Sequence, residues 1–252
     1  MSDLLVTYEI RGHAALIRFN RPDQMNAMNS RMIEQICSAL AEASAAPDVR
    51  LIILAGHGKS FMAGADIKEY AQLSEATFAG FQRSGARIYA LIEASPKLVV
   101  AAVNGYALGG GFEIALASDL IVASADAKLG LPEVRLGLVP GGGGTQRLLR
   151  KLPYNRALEL LVTGAARQAT QWHEWGVVNV LAEGDAVEAA LDWCGRFAES
   201  SPDALTQAKR LARAARDHSF GDGLAEEYEA LRTLHQTPYA QARIQEFARR
   251  GS

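Results

Sequence analysis

Cysteine is scarce in this chain: Cys37 and Cys194 are the only two among 252 residues, and they lie far apart. That argues against a disulfide framework or a cysteine-built zinc module, and a reducing, cytoplasmic setting is the expectation. Charge of one sign is lacking as well. The 26 lysines and arginines against 28 acids leave a formal net charge of −2, so no strong basic field is available to draw in nucleic acid. Long apolar runs are missing. Leu98–Val103 is typical of those present and far too short to span a bilayer, so no membrane partner is expected. The N-terminus, MSDLLVTYEI, has no basic n-region, and no signal peptide is expected. The five histidines, His13, His57, His173, His218 and His235, show no metal-ligand spacing, and no metal is expected. Three familiar motifs are also absent. Gly58-Lys59-Ser60 has Ile53 where a phosphate-binding P-loop needs glycine. Gly109-x-Gly111 is followed by Ile114 where a dinucleotide loop needs glycine or alanine, and no G-x-S-x-G elbow occurs.

Apolar material is plentiful, 49% hydrophobic against 21% charged, enough for a sizeable core. Strands are expected at Leu4–Ile10 and His13–Phe19, turned at Arg11-Gly12, and again at Arg50–Ala55, Lys97–Val103 and Leu120–Ala123. Ser30 is the expected cap of a helix carrying Ile33, Ile36, Cys37 and Leu40. A second helix is expected over Thr77–Ile92, and Gly105–Gly111 opens a third. The segment from Gly56 to Asp66 reads as a polar loop. Strands that are apolar throughout imply parallel pairing with both sheet faces covered, so the fold class is α/β. Beyond about residue 145 the pattern turns helical, over Gln146–Lys151, Arg156–Val162, Ala186–Ala198, Asp203–Ala215 and Ala225–Leu234, with one strand at Val177–Leu181. The basic run Lys209–Arg216 reads as a solvated helix face, with a site for a phosphate-bearing ligand or RNA as the alternative.

Three segments are unusual for a plain scaffold. In Phe61-Met62-Ala63-Gly64-Ala65-Asp66-Ile67, small residues let a ligand approach the backbone and leave N–H groups free to meet it; a tight turn without function is the alternative. In Asn104–Ala117 three glycines lead into a helix, whose first turn offers unpaired N–H groups and partial positive charge. Glu113 in that turn either simply complements the helix dipole or, amid Phe112, Ile114 and Leu116, is desolvated and raised in pKa toward a working range. In Leu129–Arg147, Glu133 follows Pro132 in an apolar setting, with a surface pairing to Arg135 as the alternative, and four glycines again feed a helix. Two such carboxylates suit acid–base chemistry on a carbon skeleton, one protonated while its neighbour is ionised.

These residues resemble the crotonase, or enoyl-CoA hydratase/isomerase, superfamily, over nearly the whole chain. The resemblance is carried by Asn20-Arg21-Pro22, Asn26-Ala27-Met28-Asn29, Ala63-Gly64-Ala65-Asp66-Ile67, Ala102–Gly111, Leu131-Pro132-Glu133 and Pro140-Gly141-x-Gly143-Gly144-Thr145-Gln146-Arg147. It implies a ββα spiral core domain over residues 1–195 and a C-terminal helical oligomerisation region over 196–252, assembled as a homotrimer or a hexamer of two trimers. It implies that the N–H groups of Ala65 and Gly110 form an oxyanion hole for a CoA-thioester carbonyl. Glu113 and Glu133 would hold the reacting water between them, with the Gly141 N–H orienting it. Gln24, Met25, Ala63, Asp66 and Ile67 would line the CoA path, and Leu131 the substrate. No cofactor is implied beyond the CoA of the substrate. Retention of both glutamates favours hydration of a trans-2-enoyl-CoA; a double-bond shift or another CoA-thioester enolate reaction is the alternative, and RNA binding a remote one. Three positions depart from the pattern: Leu131 where glutamine occurs, Phe112 where cysteine is common, and Gly142 where alanine is common. Phe112 and Leu131 are expected to reshape the acyl pocket, whose form depends on loop geometry around Tyr70–Ile88.

Overall fold

A computed structural model describes residues 4–197 and 200–250; Met1–Asp3, with which the N-terminal reading began, and Ala198, where one helix was expected to end, lie outside them. Strands β1 (Val6–Arg11) and β2 (Ala14–Phe19) form an antiparallel hairpin. Then come α1 (Ser30–Ala45), β3 (Leu51–Gly56), β4 (Ser60–Met62), α2 (Ile67–Tyr70), α3 (Glu75–Ala94), β5 (Leu98–Val103), β6 (Tyr106–Leu108), α4 (Gly110–Ala117), β7 (Leu120–Ser124) and β8 (Lys128–Gly130). After these run α5 (Gly144–Leu149), α6 (Tyr154–Thr163), β9 (Arg167–Gln168), α7 (Ala169–Glu174), β10 (Val180–Ala182), α8 (Ala186–Gly195), α9 (Pro202–Ala214), α10 (Phe220–His235) and α11 (Pro238–Arg250).

The larger sheet has the order β1-β2-β3-β5-β7-β10, parallel throughout except for the opening hairpin. Alternation explains its unbroken apolar strands. Ile52, Leu54, Val99, Ala101 and Val103 face a core completed by Ile33, Ile36 and Leu40 of α1 and Ile88 and Ile92 of α3. Their neighbours Ile53, Ala55, Val100 and Ala102 face Ala186, Val187, Ala190 and Cys194 of α8. Both faces are dry, as a parallel sheet requires. The cap of α1 is Asn29 rather than Ser30: its side chain accepts from the Met32 N–H, while Ser30 is already helical and donates to Glu69.

The smaller sheet has the order β4-β6-β8-β9. Sequence reading missed it, placing a polar loop over 56–66 and a helix from Gly105. The reason is length: β4, β6 and β8 have three residues each, too few to display a period. These three strands pair in parallel. Each is followed at once by one of the unusual segments: Ala63–Asp66 after β4, Gly109–Gly111 after β6, Leu131–Glu133 after β8. Crevices beyond the carboxyl ends of parallel strands are where open α/β sheets receive ligands.

The basic run is a solvated face only in part: Arg210 and Arg216 are exposed, while Lys209 and Arg213 are held against the core. Lys209, 8% exposed, donates to the Ile92 and Lys97 carbonyls and pairs with Asp119 at 2.8 Å. Arg213 donates to the Ala117 carbonyl and to Asp119. An ammonium buried this deeply persists because acceptors surround it, and the two side chains dock α9 on the core. Among the described residues no helix is long and apolar enough to cross a membrane.

Candidate active site

The turns after β4 and β6 meet face to face. An ideal Cβ on Gly64 would come within 3.2 Å of the Leu108 carbonyl oxygen, and one on Gly109 within 3.8 Å of the Gly64 Cα. Gly109 stands at φ +50, where L side chains are strained, and a Cβ there would also lie 2.9 Å from Glu133 Oε1. This packing brings Ala65 and Gly110 to the wall of one cavity of about 180 Å³. Among the described residues no backbone acceptor takes either of their N–H groups. Gly110 is the first residue of α4, so its amide is one of the donors that helix geometry leaves open.

Glu113 and Glu133 line the same cavity. Glu113 is 3% exposed, and its Oε1 accepts from the Gly142 N–H at 2.8 Å and the Gly144 N–H at 2.7 Å. Burial raises its pKa above the ordinary carboxylate value, against the opposing pull of the Gly144 and Gly142 donors and the nearby Arg147 charge. Glu133 opens the 3-10 turn Glu133–Leu136 and is poorly satisfied: its Oε2 is buried without a partner. It pairs with no arginine, Arg135 included, among the described residues. Burial first, then the Glu113 charge, push it up to about 7. Both carboxyls are raised; Glu113 alone is clasped by backbone donors, and Glu133 holds a proton into the neutral range.

Other expected residues divide. Ala63, Ile67 and Gly141 line the cavity. Gln24, Met25 and Asp66 stand outside its wall. Gln24 and Met25 form an exposed turn whose Met25 carbonyl accepts from the Ala63 N–H, and Asp66 caps α2 while paired with Arg21 at 2.9 Å. Two expectations fail. Phe112 is fully buried against Trp172, 4.8 Å between ring centroids, because a helix carries the residue before Glu113 around to the core. Leu131 is also a core residue, behind Gly144, 3.0 Å from where a Cβ there would sit. Neither shapes the cavity. The segment from Tyr70 does: Tyr70, Phe81, Gln82, Gly85, Ala86 and Tyr89 line it, the last five from α3. Sequence reading named the segment Tyr70–Ile88 without singling out Tyr70 or Gln82 and stopped one residue short of Tyr89, because an amphipathic helix hides a cavity wall inside an ordinary apolar stripe. Among the described residues no group of three or more His, Cys, Asp or Glu stands ready to hold a metal.

A pair of free amides beside two differently partnered carboxyls can polarise a carbonyl and move protons at adjacent carbons. Comparison with known proteins agrees. The family model described as enoyl-CoA hydratase/isomerase matches residues 9–251. The 2,3-dehydroadipyl-CoA hydratase of Escherichia coli (strain K12) is 35% identical over 94% of this chain and 92% of its own. The short-chain-enoyl-CoA hydratase of Clostridium acetobutylicum is 35% identical over 90% and 87%. A crystal structure described as enoyl-CoA hydrates subunit I, from Geobacillus kaustophilus HTA426, has a TM-score of 0.93 at 35% identity, covering 98% of this chain and 96% of that one. Sequence and backbone thus agree over nearly the full length, and the chain belongs to the enoyl-CoA hydratase/isomerase family.

Proposed function

We propose that the protein is an enoyl-CoA hydratase that adds water syn across a trans-2-enoyl-CoA to give a 3-hydroxyacyl-CoA. The observation that carries this reading is the contrast between the two glutamates on one cavity, Glu113 clasped by backbone donors and Glu133 raised to about 7. The thioester oxygen accepts from the Ala65 and Gly110 N–H groups, each worth about 2.7–4 kcal/mol as negative charge gathers there. Glu113 takes a proton from water as the water oxygen bonds C3. Glu133 gives its proton to C2. Glu113 then carries the proton that Glu133 lacks, and its return through solvent resets the pair. Gly141 orients the water, and Gln24, Met25, Ala63, Asp66 and Ile67 line the CoA path.

Self-assembly into a homotrimer or hexamer belongs to the same proposal. It is supported by the exposed stripe Phe220, Leu224, Tyr228 and Leu231 along α10, which is 83%, 49%, 66% and 66% exposed. The decisive experiment is loss of the conjugated enoyl-thioester absorbance of a short 2-enoyl-CoA, run in 18O-labelled water. Hydration places the label in the product. A double-bond shift leaves it unlabelled, and that result overturns the proposal.

A further inference from the structure

The cavity of Glu113 and Glu133 takes in the amino end of α4. A second cavity, of about 210 Å³, lies at the carboxyl end of that helix and shares no lining residue with the first. The starts of β5 and β7 and one side of α9 complete its wall. It gathers four cations, Lys151, Lys209, Arg213 and Arg216, around one acid, Asp119.

Two of the four are accounted for. Asp119 takes Lys209 on Oδ2 and Arg213 on Oδ1, both at 2.8 Å, and its Oδ2 also accepts from the Val99 N–H. Arg213 meets the Ala117 carbonyl at the negative end of α4, and Glu93 at 3.4 Å. Glu93 is itself held by Arg147 at 2.8 Å. No acid at this cavity is left over.

The other two are unmatched. Among the described residues neither the Lys151 ammonium nor the Arg216 guanidinium has an acid or a hydrogen-bond acceptor within bonding distance. Their chain neighbours bring them together: Arg150 and Asp217 form an ion pair at 2.9 Å that ties the end of α5 to the end of α9. Burial, then the Arg216 and Arg213 charges, hold the half-buried Lys151 below the ordinary lysine pKa. Arg213 Nε, in the same wall, is buried without a partner. Such an excess of cations destabilises the fold until an anion joins it. A phosphate group carries about −1.5 to −2 near pH 7, which balances two cations, and a guanidinium beside an ammonium suits its oxygens.

We propose that this cavity is a binding site for a small free phosphate-bearing anion, held between Lys151 and Arg216 and apart from the active-site cavity. It gives the basic run of α9 a ligand and does not rest on the hydratase reading.

Thermal melting at fixed ionic strength tests it without any turnover. Inorganic phosphate in place of chloride should raise the wild-type melting temperature by about 3–6 °C at tenfold excess over Kd. In Lys151→Met and in Arg216→Gln the rise should shrink to the increment that phosphate gives any protein surface. Calorimetric titration should show one phosphate per chain lost in either variant. Without phosphate, Lys151→Met should melt above the wild type, because an unmatched cation is gone. Equal phosphate responses in all three proteins, or a stoichiometry that neither substitution changes, overturn the proposal. So does phosphate that leaves melting unraised but splits an assembled particle in sedimentation, since a carboxylate of a second copy would then fill the cavity.

Discussion

Gly109–Gly111 before α4 and Gly141–Gly144 before α5 are two glycine-rich turns on one cavity, and they put their amides to contrary uses. In the first, the Gly110 N–H stays open, and Gly111 is glycine because a Cβ would lie 2.1 Å from the Met62 carbonyl oxygen. In the second, the Gly142 and Gly144 N–H groups are committed to Glu113. A run of glycines thus says that backbone comes close to something. Whether that something is a ligand or the protein's own carboxylate depends on where an acid lies.

The glutamates break or sharpen the contrast most strongly. Glu113→Gln and Glu133→Gln should each lower kcat about 10²–10⁴-fold, measured by steady-state hydration of a short enoyl-CoA. Their melting temperatures should part company. Glu113→Gln leaves two amides without an anionic acceptor and should melt lower. Glu133→Gln should melt higher at pH 8, because the wild-type side chain is then ionised in a buried site. Its folded pKa of about 7 lies above the unfolded value of about 4.3, so that strain is absent below about pH 4, grows between about 4.3 and 7 and is complete above that. A lower melting temperature at pH 8 would refute the account of its unpartnered oxygen.

Next come the glycines. Gly111→Ala drives a methyl into backbone and should cost about 1–3 kcal/mol in urea unfolding. Gly144→Ala meets Glu113 Oε1 at 2.9 Å and should show first in kcat rather than in unfolding. The reverse pattern would exchange the two roles. Milder is the pH profile: kcat should decline as pH rises through about 7, where Glu133 loses its proton, and Glu133→Gln should abolish that limb. Smallest is Gly143→Ala. It stands at φ +92 against the flexible end of Arg147, and should cost about 1–2 kcal/mol of stability with kcat little altered.

Much of the larger sheet was legible in the sequence because its strands are long enough to show unbroken apolarity between turn signals: Arg50–Ala55 was expected and Leu51–Gly56 found. Glu113 and Glu133 were legible as candidates because acids stand out against an apolar background, whereas Ala65 and Gly110 were picked out of their small-residue segments by the family resemblance alone. What stayed hidden was set by distance through space. Phe112 adjoins Glu113 in sequence yet points to Trp172, while Tyr89 lies 24 positions away and lines the same cavity. Lys209 reads as solvated until Asp119, at a strand edge in another layer, is brought to it.

Three strand ends side by side launch the three working segments, each within three residues of the last hydrogen-bonded pair of its ladder. Chemistry and scaffold are separable at that seam. A substitution just past β4, β6 or β8 can retune which atom is polarised or which carbon receives a proton, while the ladder behind it stays in register. The short sheet works as a socket with three terminals, and new reactions can be wired at the terminals without rebuilding the socket.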